Sequence, residues 1–221
     1  VKKMARNFDG VLFDFDGTFA DTGEGIFKCI RKTLDEMGKP QVSDESLRTF
    51  IGPPLNESFK RECGLTDEET AQALEIYRKY YNDGGYMLLR VYDGMIELIE
   101  GLKASGIVTA VASSKPQYFL RKILSSLGVE NIFEVVSGAD EQYVDANKFR
   151  IIQTAMDMGR LKDKSKVLMV GDRCFDVLGA KTVGIKCAGV LFGYGSRDEL
   201  EEAGADYFVK DTDELKKIVL G

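Results

Sequence analysis

Histidine is missing altogether from this chain of 221 residues. Its absence excludes Ser-His-Asp and Cys-His catalysis, His-ligated zinc and an imidazole general base. Acid–base work therefore falls to carboxylates, lysine, tyrosine or cysteine. Cysteine is sparse. Cys29, Cys63, Cys174 and Cys187 are scattered with no C-x-x-C pair, which fits free or buried thiols in a reducing compartment rather than disulfides or zinc ligands. Positive charge is not in excess either: 30 basic residues face 36 acidic ones, a net charge of −6. Without a cationic field, neither nucleic acid nor an anionic membrane is an expected partner. No apolar stretch approaches the ~20 residues of a membrane span, and Val1-Lys2-Lys3-Met4 leads towards Asp9 rather than into an apolar leader. The expected location is the cytoplasm.

What is present is a soluble globular balance, 44% hydrophobic and 30% charged, in a chain long enough for one substantial core with a smaller appendage. Near its start an apolar run, Val11-Leu12-Phe13, breaks into Asp14-Phe15-Asp16-Gly17-Thr18. Residues two apart on a strand point the same way, so a turn at Gly17 delivers both carboxylates to one sheet edge. Their repulsion is relieved if a divalent cation sits between them or if one keeps its proton. A strand closing in a plain Asp-Gly turn is the alternative.

Residues 22 to about 86 read as an all-helical insertion. Ile26, Ile30, Thr33, Leu34 and Met37 recur at helical spacing before Gly38-Lys39-Pro40 stops them. Ser43-Asp44-Glu45 caps a second helix, which Phe50-Ile51-Gly52-Pro53-Pro54 interrupts before periodicity resumes over Leu55 to Cys63. Thr66 and Glu69 form a capping box opening a longer helix through Tyr77, Tyr80 and Tyr81. These tyrosines, with Tyr86, suit either a packed core or stacking on a base.

From Val91 helices alternate with short apolar runs. Strands are expected at Ile107 to Ala112, Val135 to Ser137, Lys166 to Val170, Lys186 to Val190 and near Tyr207 to Val209. Helices are expected at Gly94 to Ala104, Pro116 to Leu127, Lys148 to Met158, Asp176 to Val183 and from Asp213. The alternation predicts an α/β fold with a Rossmann-like, three-layer core around a parallel sheet. The expected division is a core of residues 1–20 and 88–221 with a helical cap of 21–87, hinged near Ala20 to Thr22 and Gly84 to Val91.

Ligands of such sheets bind outside the carboxyl ends of the strands. The first strand brings Asp14 and Asp16 there, the second Ser113, Ser114 and Lys115. The third, after a longer loop, leads to Asn147 and Lys148, and the fourth to Gly171, Asp172 and Asp176. Cys174 reads as a packed thiol, since it has no histidine to activate it. Gly193-Tyr194-Gly195-Ser196 reads as a turn after the fifth strand.

An acid pair, a hydroxyl, a lysine and a second acid pair, each after a successive strand, resemble the four motifs of the haloacid dehalogenase superfamily: Asp14-Phe15-Asp16-Gly17-Thr18, Ser113, Lys148 and Gly171-Asp172-x-x-x-Asp176. The insertion lies where that superfamily carries a small helical cap. The resemblance implies a phosphatase acting on a small phosphate ester, with Asp14 as nucleophile and Asp16 as acid and then base. Mg2+ would be held by Asp14, the Asp16 carbonyl and Asp172. Ser113 and Lys148 would hold the phosphoryl oxygens, while Asp176 and Thr18 would support the geometry, Thr18 near the two acids of its own motif. Dehalogenase and phosphonatase relatives lack the second acid, and mutase relatives use a cap histidine, so hydrolysis is expected.

Phe50 to Asn56, Ser113 to Pro116 and Gly189 to Glu202 resemble a bacterial subgroup described as 5'-nucleotidase-like or phosphoglycolate phosphatase-like. A nucleoside 5'-monophosphate is the expected substrate. Phosphoglycolate, pyrophosphate, a sugar phosphate, mutase activity and a non-catalytic binding role are the alternatives. Gly17, Ser114, Gly52, Pro53 and Asn147 are expected to touch substrate, with Arg48 and Arg90 as candidates for a distal anionic group. A monomer or homodimer is expected.

Overall fold

The computed structural model describes residues 6–140 and 147–221. The opening residues Val1 to Met4 and most of the loop expected before Asn147 lie outside these. Two compact units emerge, Val1–Phe19 with Val91–Gly221, and Ala20–Arg90.

The first unit is built on a parallel sheet of β1 (Gly10–Phe13), β4 (Val108–Pro116), β5 (Val135–Ala139), β6 (Val167–Gly171), β7 (Lys186–Val190) and β8 (Tyr207–Val209), in the order β5-β4-β1-β6-β7-β8. Helices α5 (Met95–Ala104), α6 (Gln117–Ser126), α7 (Lys148–Met158), α8 (Cys174–Val183), α9 (Arg197–Ala203) and α10 (Thr212–Leu220) make the connections and the close. Crossovers through helices keep successive strands parallel.

Alternation along the strands divides the core. Leu12, Ala110, Ala112, Val135, Val167, Met169 and Cys187 pack with Ile151, Ile152, Ala155, Val177, Ala180 and Leu200 of α7, α8 and α9. The intervening residues Val11, Phe13, Val111, Leu168 and Val170 are as deeply buried, on the face covered by α5 and α6. Both faces are thus apolar, as a parallel sheet requires. Strand β1 sits where the chain changes direction, with β4 on one side and β6 on the other. A crevice at the carboxyl ends of β4, β1 and β6 follows from that topology.

The second unit is helical: α1 (Gly23–Glu36), α2 (Asp44–Arg48), α3 (Leu55–Cys63) and α4 (Asp67–Asn82). The Thr66 hydroxyl accepts from Glu69 N at 3.2 Å while Glu69 Oε2 accepts from Thr66 N at 3.0 Å, so the expected capping box starts α4. Tyr77 and Tyr81, both 4% exposed, stack 5.4 Å apart. Phe59 meets Tyr77, and Phe50 meets Phe59, edge to face. This pair is therefore core of its own unit, which settles the packing-or-stacking alternative for Tyr77 and Tyr81. Gly52 (φ 110°) and Pro53 form the turn between α2 and α3. Three elements are not among the expected ones: β2 (Ala20–Asp21), which pairs with β3 (Arg90–Val91), and α9, which follows the turn expected at Gly193 to Ser196. No described helix is long and apolar enough to cross a membrane.

Candidate active site

At the carboxyl end of β1 the chain leaves the sheet at Asp14, whose N–H still donates to Val170 O of β6 at 2.9 Å. Phe15 is fully buried, and Phe19 N closes back onto Phe15 O at 3.0 Å. Gly17, at φ 83°, supplies the left-handed turn. One apolar anchor and one glycine thus put Asp14 and Asp16 at the crevice.

Lys148, the first residue of α7, is 8% exposed. Lysine is rarely buried without a partner. Its Nζ lies 2.9 Å from Asp14 Oδ1 and 2.8 Å from Asp176 Oδ1, and it donates to Ala112 O at 3.3 Å. Burial works against its charge, but Asp14 and Asp176 outweigh that and push its pKa up. Gly179 of α8 makes room for the stem, since a Cβ there would stand 2.8 Å from Lys148 Cγ. Asn147 precedes Lys148 at the N-cap position and is exposed. Its side chain caps α7, accepting from Phe149 N at 3.2 Å.

Asp172 follows β6 and is fully buried. Its Oδ1 accepts from the Thr18 hydroxyl at 3.3 Å and its Oδ2 from Tyr194 N at 2.8 Å. Thr18 therefore steadies the acid of a later motif; the expectation had placed it beside Asp14 and Asp16. The Gly193-Tyr194-Gly195 segment is more than a turn. A Cβ on Gly193 would lie 2.3 Å from Asp172 Cβ, one on Gly195 1.9 Å from Asp172 O, and one on Gly17 2.2 Å from Asp172 Oδ2. Gly17 and Gly193 thus close on the Asp172 side chain, and Gly195 on its backbone carbonyl. Asp176 is held similarly, its Oδ2 accepting from Arg173 N at 3.1 Å, with Gly171 bare because a Cβ would meet Asp176 Cγ at 2.1 Å.

Sequence reasoning missed Glu199. It accepts from Arg173 Nε at 2.9 Å and Cys174 N at 2.8 Å, tying α9 to the start of α8 beside Asp172. Burial, with Glu199 adding to it, pushes the Cys174 thiol up to about 11, so little thiolate forms near neutrality.

Ser113 is buried on β4, and its Oγ accepts from Lys115 N at 3.3 Å. Ser114 lies next to it on the same strand, which runs to Pro116 rather than stopping at Ala112. The Asp16 carboxyl is paired with Lys115 Nζ at 2.9 and 3.1 Å. Gly52 and Pro53 belong to the other unit.

Asp14, Asp172 and Asp176 each offer a carboxylate oxygen, all within 4.8 Å of one another. Burial first, then Asp176 and Asp14, holds Asp172 well above the ordinary carboxylate range. Lys148 pairs with Asp14 and Asp176, and a cation beside Asp172 would relieve the crowding of three buried acids. A hard divalent cation suits this all-oxygen donor set.

A family model described as haloacid dehalogenase-like hydrolase matches residues 11–190. The 5'-nucleotidase of Pseudomonas aeruginosa is 32% identical over 219 residues, 99% of each chain. Tyrosine-protein kinase PtkA of Mycobacterium tuberculosis is 34% identical over 192 residues, 87% of this chain and 65% of that protein. The crystal structure of a predicted phosphatase from Clostridium acetobutylicum superposes with a TM-score of 0.88 at 37% identity, covering 95% of this chain and 97% of that one.

Proposed function

The chain belongs to the haloacid dehalogenase-like hydrolase family, and from that premise we propose that it is a Mg2+-dependent phosphomonoesterase whose substrate is a nucleoside 5'-monophosphate. The observation that carries the reading is the buried grouping of Asp14, Asp172 and Asp176, with Lys148 paired to Asp14 and Asp176. The substrate class rests on the full-length likeness to a 5'-nucleotidase.

In this reading Asp14 and Asp172, with the Asp16 carbonyl, would hold Mg2+. When bound, the ion offsets the repulsion between the carboxylates and a phosphate dianion and stabilises charge on the transferring phosphoryl group. Asp14 attacks phosphorus, the bond to the leaving oxygen breaks, and its electron pair stays on that oxygen, which takes the Asp16 proton. A water then attacks the aspartyl-phosphate and gives its proton to Asp16, and the bond from Asp14 to phosphorus breaks. Inorganic phosphate leaves and both acids are restored. Lys148 screens Asp14 and, with the Ser113 hydroxyl, steadies the phosphoryl oxygens as charge shifts. Asp176 keeps Lys148 in place.

The test is a screen of nucleoside monophosphates, phosphoglycolate, sugar phosphates and pyrophosphate at matched concentration. Hydrolysis of a nucleoside monophosphate with Mg2+, abolished by EDTA and by Asp14→Asn, is expected. Retained activity in the variant would overturn the assignment of Asp14, and phosphoryl transfer to a tyrosyl peptide in place of water would overturn hydrolysis.

A further inference from the structure

Strand β4 does not run regularly into α6. Its pairing with β5 shifts register, Ser113 opposite Gly138 and then Pro116 opposite Ala139, so Ser114 and Lys115 bulge out of the ladder. Bulges re-aim side chains, and they recur next to active sites. This one is fixed on both sides. Gly138 is bare where a Cβ would stand 2.7 Å from Lys115 O and from Gln117 N. Gln117 Oε1 accepts from Gly138 N at 2.9 Å, and Lys115 N is tied to Ser113 Oγ at 3.3 Å.

The bulge delivers a buried ammonium to Asp16. The Lys115 side chain is 5% exposed and that of Asp16 18%, and Nζ reaches both carboxyl oxygens, at 2.9 and 3.1 Å. The same Nζ lies over the Phe15 ring, 5.8 Å from its centroid. A carboxyl on a turn residue beside a glycine has side-chain torsions to choose among. Two contacts from one buried donor select one of them.

We propose that Lys115 is a positioning residue for Asp16, holding its carboxyl where it meets the leaving-group oxygen. This rests on the phosphomonoesterase reading above. It separates Lys115 from Lys148, which sits on Asp14 and Asp176: one lysine serves the nucleophile, the other the proton donor.

The readout is leaving-group dependence. An alkoxide leaving from a nucleoside 5'-monophosphate needs Asp16's proton, whereas p-nitrophenolate departs as a stable anion. Lys115→Met is expected to lower the single-turnover rate of leaving-group release from the nucleotide about tenfold or more, with the pre-steady-state burst of p-nitrophenolate nearly retained, because that departure takes no proton from Asp16. Lys115→Arg, restoring a cation to Asp16, should recover most of the loss. In an Asp16→Asn background, adding Lys115→Met should change kcat by less than about twofold, as expected of residues acting through one another. Lys115→Gln gives the same comparison should Met at this buried position prevent folding. Equal losses in the release of both leaving groups, a change confined to KM, or multiplicative effects in the Asp16→Asn background would overturn the proposal. Wild-type protein that hydrolyses neither ester would overturn instead the reading on which it rests.

Discussion

Replacing Lys148 by methionine removes the ammonium that pairs with the buried carboxylates of Asp14 and Asp176 while keeping the length of the side chain. At an effective dielectric of about 20, each contact at 2.8–2.9 Å is a gross attraction of roughly 6 kcal/mol. Burying the ammonium offsets several kcal/mol of that, and truncating one member of a buried ion pair typically costs about 3–5 kcal/mol. At about 2–4 °C per kcal/mol for a chain of this size, Tm should fall by roughly 6–20 °C. The assay is urea and thermal unfolding in EDTA, so that no cation substitutes for the ammonium. The sign with pH is fixed. The folded-state pKa of Lys148 is raised, so its contribution is fully present below the ordinary lysine value and is lost only as pH rises through the folded one. In the variant the unpaired acids take up protons instead, so the loss should be larger near pH 8 than near pH 5. A variant within about 1 kcal/mol of wild type near pH 8 would refute the view that Lys148 holds these acids together.

Two further outcomes follow from the same cluster. Gly193→Ala places a Cβ 2.3 Å from Asp172 Cβ and 2.5 Å from Gly17 O, where backbone cannot yield, and should weaken Mg2+ affinity by about tenfold or more, the scale seen when support of a metal ligand is lost; Gly38→Ala, with nothing within 4 Å, serves as the control in a Mg2+ titration of activity. With no ion bound, the folded-state pKa of Asp172 is raised, so folding binds extra protons above the ordinary carboxylate value and the metal-free protein loses stability as pH rises through that window. Because Mg2+ needs the carboxylate, the gain in Tm on adding it should be greater near pH 8 than near pH 5; equal gains would refute the burial argument for Asp172.

The acids, Ser113 and Lys148 are legible in the sequence because a parallel α/β sheet gathers whatever follows its strands, and strand ends are marked by apolar runs. Other parts of the site leave a fainter trace. The donor to Asp172 is the Tyr194 amide, and a backbone N–H carries no residue identity; only the flanking glycines hint at close approach. The bulge at Ser114–Lys115 depends on pairing with β5, a long-range fact. Asn147 carries the same amide whether it caps a helix or meets a substrate. Helix α9 hides because seven residues with Leu200 as their one fully buried side chain show no stripe, and β2 and β3 are two residues each, too short for periodicity. Glu199 reads as a solvated helix charge until α8 and α9 are seen side by side.

The glycines against Asp172 also bear on ionic radius. Mg2+ demands short oxygen contacts in a near-octahedral shell, while Ca2+ takes longer contacts and more ligands from a site that can relax around it. Gly17 and Gly193 lie close against the Asp172 side chain and Gly195 against its backbone carbonyl, so a shift of this ligand meets backbone at short range. For the proposed Mg2+ site, stiffness around this one ligand would favour a small ion independently of how many charges the site carries.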